Sequence, residues 1–183
     1  MRIAVVTGNP KPASRTHGVA LAVADALAAG TAGGDTAGGD TAGADPAGAG
    51  PAVVADLAEY APRLFDWADA ELSGLTAAVA AADVAIFASP TYKAAYTGLL
   101  KAFLDRYGTN GLAGVVAVPV MTGGGAGHSL AVEVHLRPVL VELGATVPAR
   151  GLYVTESELA GLPAAIAKWS AAAVPLIRSA AQR

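Results

Sequence analysis

Five short apolar runs recur along the chain, each followed by a polar or glycine-rich turn and then by helix-patterned sequence. The runs are Arg2–Thr7, Ala52–Leu57, Val84–Ala88, Gly114–Val120 and Ala145–Val154, the last interrupted by Pro148. Runs this short and this apolar read as strands buried on both faces. Helical patterning follows from about Thr16 to Gly30, Gly74 to Ala82, Thr97 to Tyr107, His128 to Leu143 and Glu158 to Arg183. Such alternation implies a parallel sheet with helices on both sides. Right-handed crossovers leave few topologies. For five strands the expected fold is an α/β three-layer sandwich with strand order 2-1-3-4-5, whose switch point between strands one and three is where such sheets hold ligands.

Local signals sharpen the boundaries. Ser89-Pro90 ends the third strand, because proline fixes φ and pushes its neighbour extended. Ser73 is expected to cap the second helix, and Gly144 to stop the fourth. Pro138 sits inside the fourth helix and removes the bond to the Val134 carbonyl, so a kink or π-bulge is expected there. Pro163 lies near the start of the last helix, and Pro175 is expected to kink it. Residues 58–72, with Pro62 and Trp67, read as a loop with a short helix.

At 31–50 the pattern changes. Thr-Ala-Gly-Gly-Asp occurs twice in succession, and Thr-Ala-Gly-Ala-Asp follows. This low-complexity stretch cannot bury enough apolar side chain to offset its ordering entropy. It reads as a flexible surface insertion in one domain spanning 1–183. The hydrophobic fraction of 54% is ample for a core and for a subunit interface. No uninterrupted apolar run is long enough to span a bilayer, and the N-terminus is not patterned like a signal peptide. The absence of cysteine excludes disulfides, thiolate metal sites and cysteine nucleophiles. A net charge of −3 with no basic cluster argues against a nucleic-acid partner. Cytoplasm is the expected compartment, with no membrane association.

Three turns carry candidate chemistry. After strand one, Ser14, Arg15 and Thr16 stand at a helix start, where free N–H groups and the helix dipole favour an anion. They can form a monophosphate cradle, or Ser14 or Thr16 can simply cap the helix beside a solvated Arg15; the loop alone does not choose. Lys11 reads as a surface charge. Neither the P-loop ending nor Gly-x-Gly-x-x-Gly is present. After strand three, Pro90, Thr91, Tyr92, Lys93 and Ala94 can offer backbone polar groups and a flat contact to a planar ring, or form a plain turn. After strand four, Thr122, Gly123, Gly124 and Gly125 let backbone approach a ligand closely, and three consecutive glycines imply a geometric need. His17, His128 and His135 lack metal-ligand spacing with carboxylates, so no metal is expected. A Gly-x-Ser-x-Gly hydrolase elbow is absent.

Gly8-Asn9-Pro10 with Ser14-Arg15-Thr16, the run Ser89-Pro90-Thr91-Tyr92-Lys93-Ala94-Ala95-Tyr96-Thr97-Gly98-Leu99-Leu100-Lys101, Thr122-Gly123-Gly124 and Leu136-Arg137-Pro138-Val139-Leu140 together resemble the NAD(P)H-dependent FMN reductase family. The similarity is greatest to the flavin reductases of two-component alkanesulfonate monooxygenase systems, and covers nearly the whole chain outside 31–50. The resemblance implies a flavodoxin-like fold, FMN at the three turns, NADPH or NADH as hydride donor, and homodimers or homotetramers. Carried over residue by residue, it assigns the phosphate to Ser14, Arg15 and Thr16. Asn9, which stands where the family usually has serine, can still donate. The ring falls to Pro90, Thr91, Tyr92, Lys93 and Ala94, and its pyrimidine edge to Thr122, Gly123 and Gly124. No side chain is needed as an acid or base, since the cofactor supplies the chemistry.

The fourth helix carries an apolar stripe of Val132, Leu136, Val139 and Leu143, with Leu130, Val134 and Val141 on other faces. A helix apolar on more than one face is expected against both the sheet and a partner subunit. The resemblance places Val134 or His135 at a π-helical bulge at that contact; His135 reads equally as an ordinary exposed histidine. The leading functional expectation is an NAD(P)H:FMN oxidoreductase supplying reduced flavin to a partner monooxygenase. The alternatives are a quinone or azo-type reductase with resident FMN, and a flavodoxin-like electron carrier without nicotinamide activity.

Overall fold

The structure, a computed structural model, describes residues 1–29 and 50–182. The expected insertion at 31–50 therefore lies outside the described residues, apart from Gly50. The described strands β1 (Ile3–Thr7), β2 (Val53–Asp56), β3 (Val84–Pro90), β4 (Val116–Gly123) and β5 (Leu152–Thr155) form one parallel sheet in the order β2-β1-β3-β4-β5. The helices are α1 (Arg15–Ala29), α2 (Ala70–Ala80), α3 (Gly98–Leu104), α4 (Arg137–Glu142) and α5 (Leu162–Ala181). Order, direction and layering match the sequence expectation.

Each strand's alternating side chains feed two separate cores. Ala4, Val6, Ala85 and Phe87 join Leu72 and Val79 of α2, Leu100 and Phe103 of α3, and Leu140 of α4. Ile3, Val5, Val84 and Ile86 face the other way, against Val19, Val23 and Leu27 of α1 and Ile166, Val174 and Ile177 of α5. Burial on both faces accounts for the continuously apolar strands.

Several boundaries differ from expectation, each for a local reason. The cap of α2 is Asp69, whose carboxylate accepts the Leu72 N–H at 2.9 Å. Ser73 lies one turn inside, and its hydroxyl donates to the Asp69 carbonyl. β3 does not stop at Ala88 but continues through Pro90, paired with Thr122 of β4. β5 begins only at Leu152. The carbonyls of Val147 and Ala149 are taken by the Arg137 guanidinium, at 2.7 and 2.5 Å, which with Pro148 removes that stretch from the sheet. Tyr107 lies beyond α3, and the last helix is preceded by a separate 3₁₀ turn, Glu156–Gly161.

The proline in the fourth helical segment has the expected effect. Val132–Leu136 is a π-helix, followed by α4 with Pro138 in its first turn. Glu133 and Arg137 form an ion pair at 2.6 Å across this junction. Gly144, at φ +87, ends the segment. Leu130, Val134 and Val141 are all more than half exposed here. Among the described residues Glu156–Ala181, 26 residues with mean hydropathy 1.3, is long and apolar enough to cross a membrane by length and composition, although Glu156, Glu158, Lys168 and Arg178 interrupt it. In this fold its apolar stripe packs on α1 and on β4 and β5.

Candidate active site

The carboxyl ends of the parallel strands open into one cavity of about 340 Å³, within the about 300–1,000 Å³ usual for small-molecule sites. Asn9, Ser14, Arg15, Thr16, Pro90, Thr91, Tyr92, Thr122, Gly123 and Gly124 all line it. Ten of the twelve residues singled out from sequence are therefore brought together, from three loops far apart in the chain.

The first loop is built around a buried carboxylate. Asp56, at the end of β2, accepts the Ala13 N–H at 2.8 Å and the Ala58 N–H at 3.3 Å. This holds Ala13 at φ +48, a conformation rarely adopted by residues with a Cβ. Asn9 accepts the Lys11 N–H at 2.9 Å and donates to the Thr16 hydroxyl at 3.3 Å. The Thr16 hydroxyl in turn meets that of Thr122 at 2.7 Å, joining the first loop to the end of β4. Ser14 accepts the His17 N–H at 3.2 Å, so it does cap α1. Arg15 reaches across the cavity mouth to Glu156 at 2.5 Å. The N-terminus of α1, four turns long, borders the same space, which Ser14, Arg15 and Thr16 line.

The turn after β3 is a two-residue hairpin. Tyr92 and Ala95 exchange both backbone hydrogen bonds, at 2.8 and 3.1 Å, with Lys93 at φ +51 and Ala94 at φ +65 between them. Both central residues adopt the left-handed conformation of a type I′ turn without being glycine. Such strain gathers at ligand sites. Lys93 and Ala94 form the exposed tip of this hairpin, next to the cavity-lining Thr91 and Tyr92. Their part is to shape the turn that presents Thr91 and Tyr92. Tyr92 is 52% exposed at the cavity edge. The Thr91 N–H donates to the Thr122 carbonyl at 2.7 Å, while the Thr91 hydroxyl is buried without a hydrogen-bond partner among the described residues.

The glycine run has one constrained member. A Cβ on Gly123 would overlap the Tyr153 hydroxyl and crowd Thr91 Oγ1, whereas Gly124 and Gly125 have open space. Tyr153 from β5 donates to the Gly125 carbonyl at 3.2 Å.

Lys11, Ala13, Val154, Glu156 and Leu159 also line the cavity. The sequence expectation puts Lys11 at the surface, and it is exposed while also facing this space. Val154, Glu156 and Leu159 follow from the end of β5, which reaches the same carboxyl edge as the other loops. A strand read over 145–154 hides that relation. His17 hydrogen-bonds the Thr7 hydroxyl at 3.0 Å through Nδ1. His128 lies in a 3₁₀ turn, Ala126–His128, and His135 is exposed on the π-helix.

Known proteins resemble this chain in sequence and fold. Residues 1–159 match the model of a family described as NADPH-dependent FMN reductase. An FMN reductase (NADPH) of Pseudomonas putida is 40% identical over 82 residues, 45% of this chain and 42% of that protein. The chain thus spans less than half the length of that relative. An NADH-dependent FMN reductase, SfnF, of Pseudomonas putida is 32% identical over 155 residues, 85% of this chain and 77% of the relative. Among solved structures, the apo form of the NADH:FMN oxidoreductase EMOB superposes with a TM-score of 0.69 at 30% identity, over 92% of this chain and 87% of that one.

Proposed function

The chain belongs to the NADPH-dependent FMN reductase family, and from that premise we propose that it is an NAD(P)H:FMN oxidoreductase that hands reduced flavin to a flavin-dependent monooxygenase. The observation that carries this reading is the buried Thr91 hydroxyl. It has no partner among the described residues, in a residue that lines the cavity. A buried hydroxyl without a partner is costly, and the polar edge of a flavin ring would satisfy it. The rest of the lining fits the same ligand. Donors at the α1 N-terminus, Ser14, Arg15 and Asn9 suit a phosphate. Gly123 and Gly124 leave room for backbone to meet a ring edge.

When bound, FMN supplies the redox chemistry as a two-electron acceptor for the hydride of NAD(P)H. The protein's part is binding and orientation. Ser14, Arg15, Thr16 and Asn9 would hold the phosphate; Pro90, Thr91 and Tyr92 would flank the ring; Thr122, Gly123 and Gly124 would meet its pyrimidine edge. The Asn9–Thr16–Thr122 hydrogen bonds keep the phosphate and ring loops in fixed register. Lys93 and Ala94, at the tip of the same hairpin, would complete the turn that holds the ring. No general acid or base is required.

We take 1–183 as one reductase domain with an insertion at about 31–50, because α5, beyond the matched residues, shares a core with α1. A cytoplasmic location suits a protein that draws on NAD(P)H. The exposed Leu130, Val134 and Val141 around the π-helix are the face on which a homodimer or homotetramer would form. Steady-state NADPH and NADH oxidation, with free FMN present or withheld, tests the proposal.

A further inference from the structure

Among the described residues the cavity lining holds three charges, Lys11, Arg15 and Glu156. A carboxylate is out of place beside a phosphate cradle, and this one is not idle: Glu156 Oε1 lies 2.5 Å from Arg15 Nη2. Arg15 is the first residue of α1, and Glu156 is the first residue of the 3₁₀ turn that follows β5. The pair bridges the cavity mouth between two elements that are far apart in the chain. The side chains are 68% and 55% exposed, so the pair is worth little to the stability of the fold.

We propose that Glu156 is a counter-charge that competes with the flavin phosphate for Arg15 and so makes FMN a short-lived occupant of the site. The inference rests on the FMN reading above. A phosphate that takes the Nη2 donor must displace Glu156 or sit beside its negative charge. Either event costs binding energy that Glu156 alone imposes. The cost falls only on a ligand that carries the phosphate; the ring contacts at Thr91 and Gly123 do not sense it. The result suits an enzyme whose reduced flavin must leave for another protein, rather than one that keeps its flavin.

The test is equilibrium and stopped-flow titration of the full chain with FMN and with riboflavin, for wild type, Glu156→Gln and Arg15→Ala. The expected result is that E156Q binds FMN roughly two- to fivefold tighter, the scale of one exposed charge interaction. The gain should lie in slower dissociation, with riboflavin affinity unchanged. R15A should weaken FMN and leave riboflavin alone. If E156Q leaves FMN binding unchanged or weaker while R15A weakens it, the counter-charge role is overturned and the FMN reading stands. If E156Q tightens FMN and riboflavin alike, the effect is one of cavity shape and the role is again overturned. If wild type binds neither flavin, the FMN reading fails and this inference falls with it.

Discussion

The Thr97 hydroxyl donates to the Gly8 carbonyl at 2.5 Å and accepts the Leu100 N–H at 3.2 Å. One side chain therefore caps α3 and ties the turn after β3 to the loop after β1. Thr97 is 3% exposed, so neither bond can be replaced by water. Thr97→Ala is expected to destabilise by about 2 kcal/mol and to lower Tm by roughly 4–8 °C for a chain of this size. Thr97→Ser should recover most of the loss. Thermal unfolding followed by circular dichroism measures both, and an unchanged Tm for the alanine variant would remove Thr97 from this role.

Thr91 and its ligand should respond with opposite signs. Thr91→Val removes a buried hydroxyl that has no partner among the described residues, so the flavin-free protein should be as stable or more stable, by up to about 1–2 kcal/mol. FMN and riboflavin affinity should both fall, since the hydroxyl would bond the ring that the two flavins share. Tm of the flavin-free protein and flavin fluorescence titration provide the two readouts. A valine variant that binds both flavins normally would show that Thr91 does not face the ring.

Gly123 is confined by Tyr153. Gly123→Ala should cost about 1–3 kcal/mol through overpacking. Combining it with Tyr153→Leu should cost less than the sum of the two single changes, a favourable coupling of the kind seen for neighbouring residues. A double-mutant cycle in urea checks this; strict additivity would mean that the tyrosine moves aside freely.

Two helix caps set the response to acid. The Leu72 N–H, with the Arg63 guanidinium beside it, holds the Asp69 carboxylate below the ordinary carboxylate range. Hydrogen bonds from the Thr155 N–H and hydroxyl do the same for Glu158. Because each folded pKa lies below its unfolded value, the unfolded state binds more protons as pH falls. The stabilisation is full above the unfolded carboxylate range of about 4, and it is lost as pH drops through the lower folded values. Asp69→Asn and Glu158→Gln should flatten the fall in stability on the acid side and leave its slope near neutrality unchanged. Stability against pH, from denaturant unfolding, reads this directly.

The sheet order was legible because five continuously apolar runs alternating with helical segments, joined by right-handed crossovers, leave few topologies. The π-helix was legible because Pro138 must free the Val134 carbonyl. Other features were not, for equally physical reasons. Asp69 and Ser73 both suit a helix N-cap, and only the fold decides that the aspartate's carboxylate meets an unpaired N–H. The start of β5 depends on Arg137 removing the Val147 and Ala149 carbonyls from the ladder, across ten and twelve residues of chain. Glu156 could not be placed in the cavity until the extent of that strand was known. The left-handed backbone at Lys93 and Ala94 was not legible either, because neither is glycine and only the Tyr92–Ala95 pairing imposes it.

The central claim is that flavin passes through this site as a substrate of NAD(P)H oxidation. The direct measurement is NADPH and NADH oxidation by the purified full-length chain across a series of free FMN concentrations, with the flavin content of the protein recorded beforehand. The account predicts a protein purified nearly free of flavin, with no oxidation until FMN is added and a rate that saturates with it. A yellow protein that oxidises NAD(P)H with a quinone and no added flavin would contradict it, as would a chain that oxidises neither nucleotide at any FMN concentration.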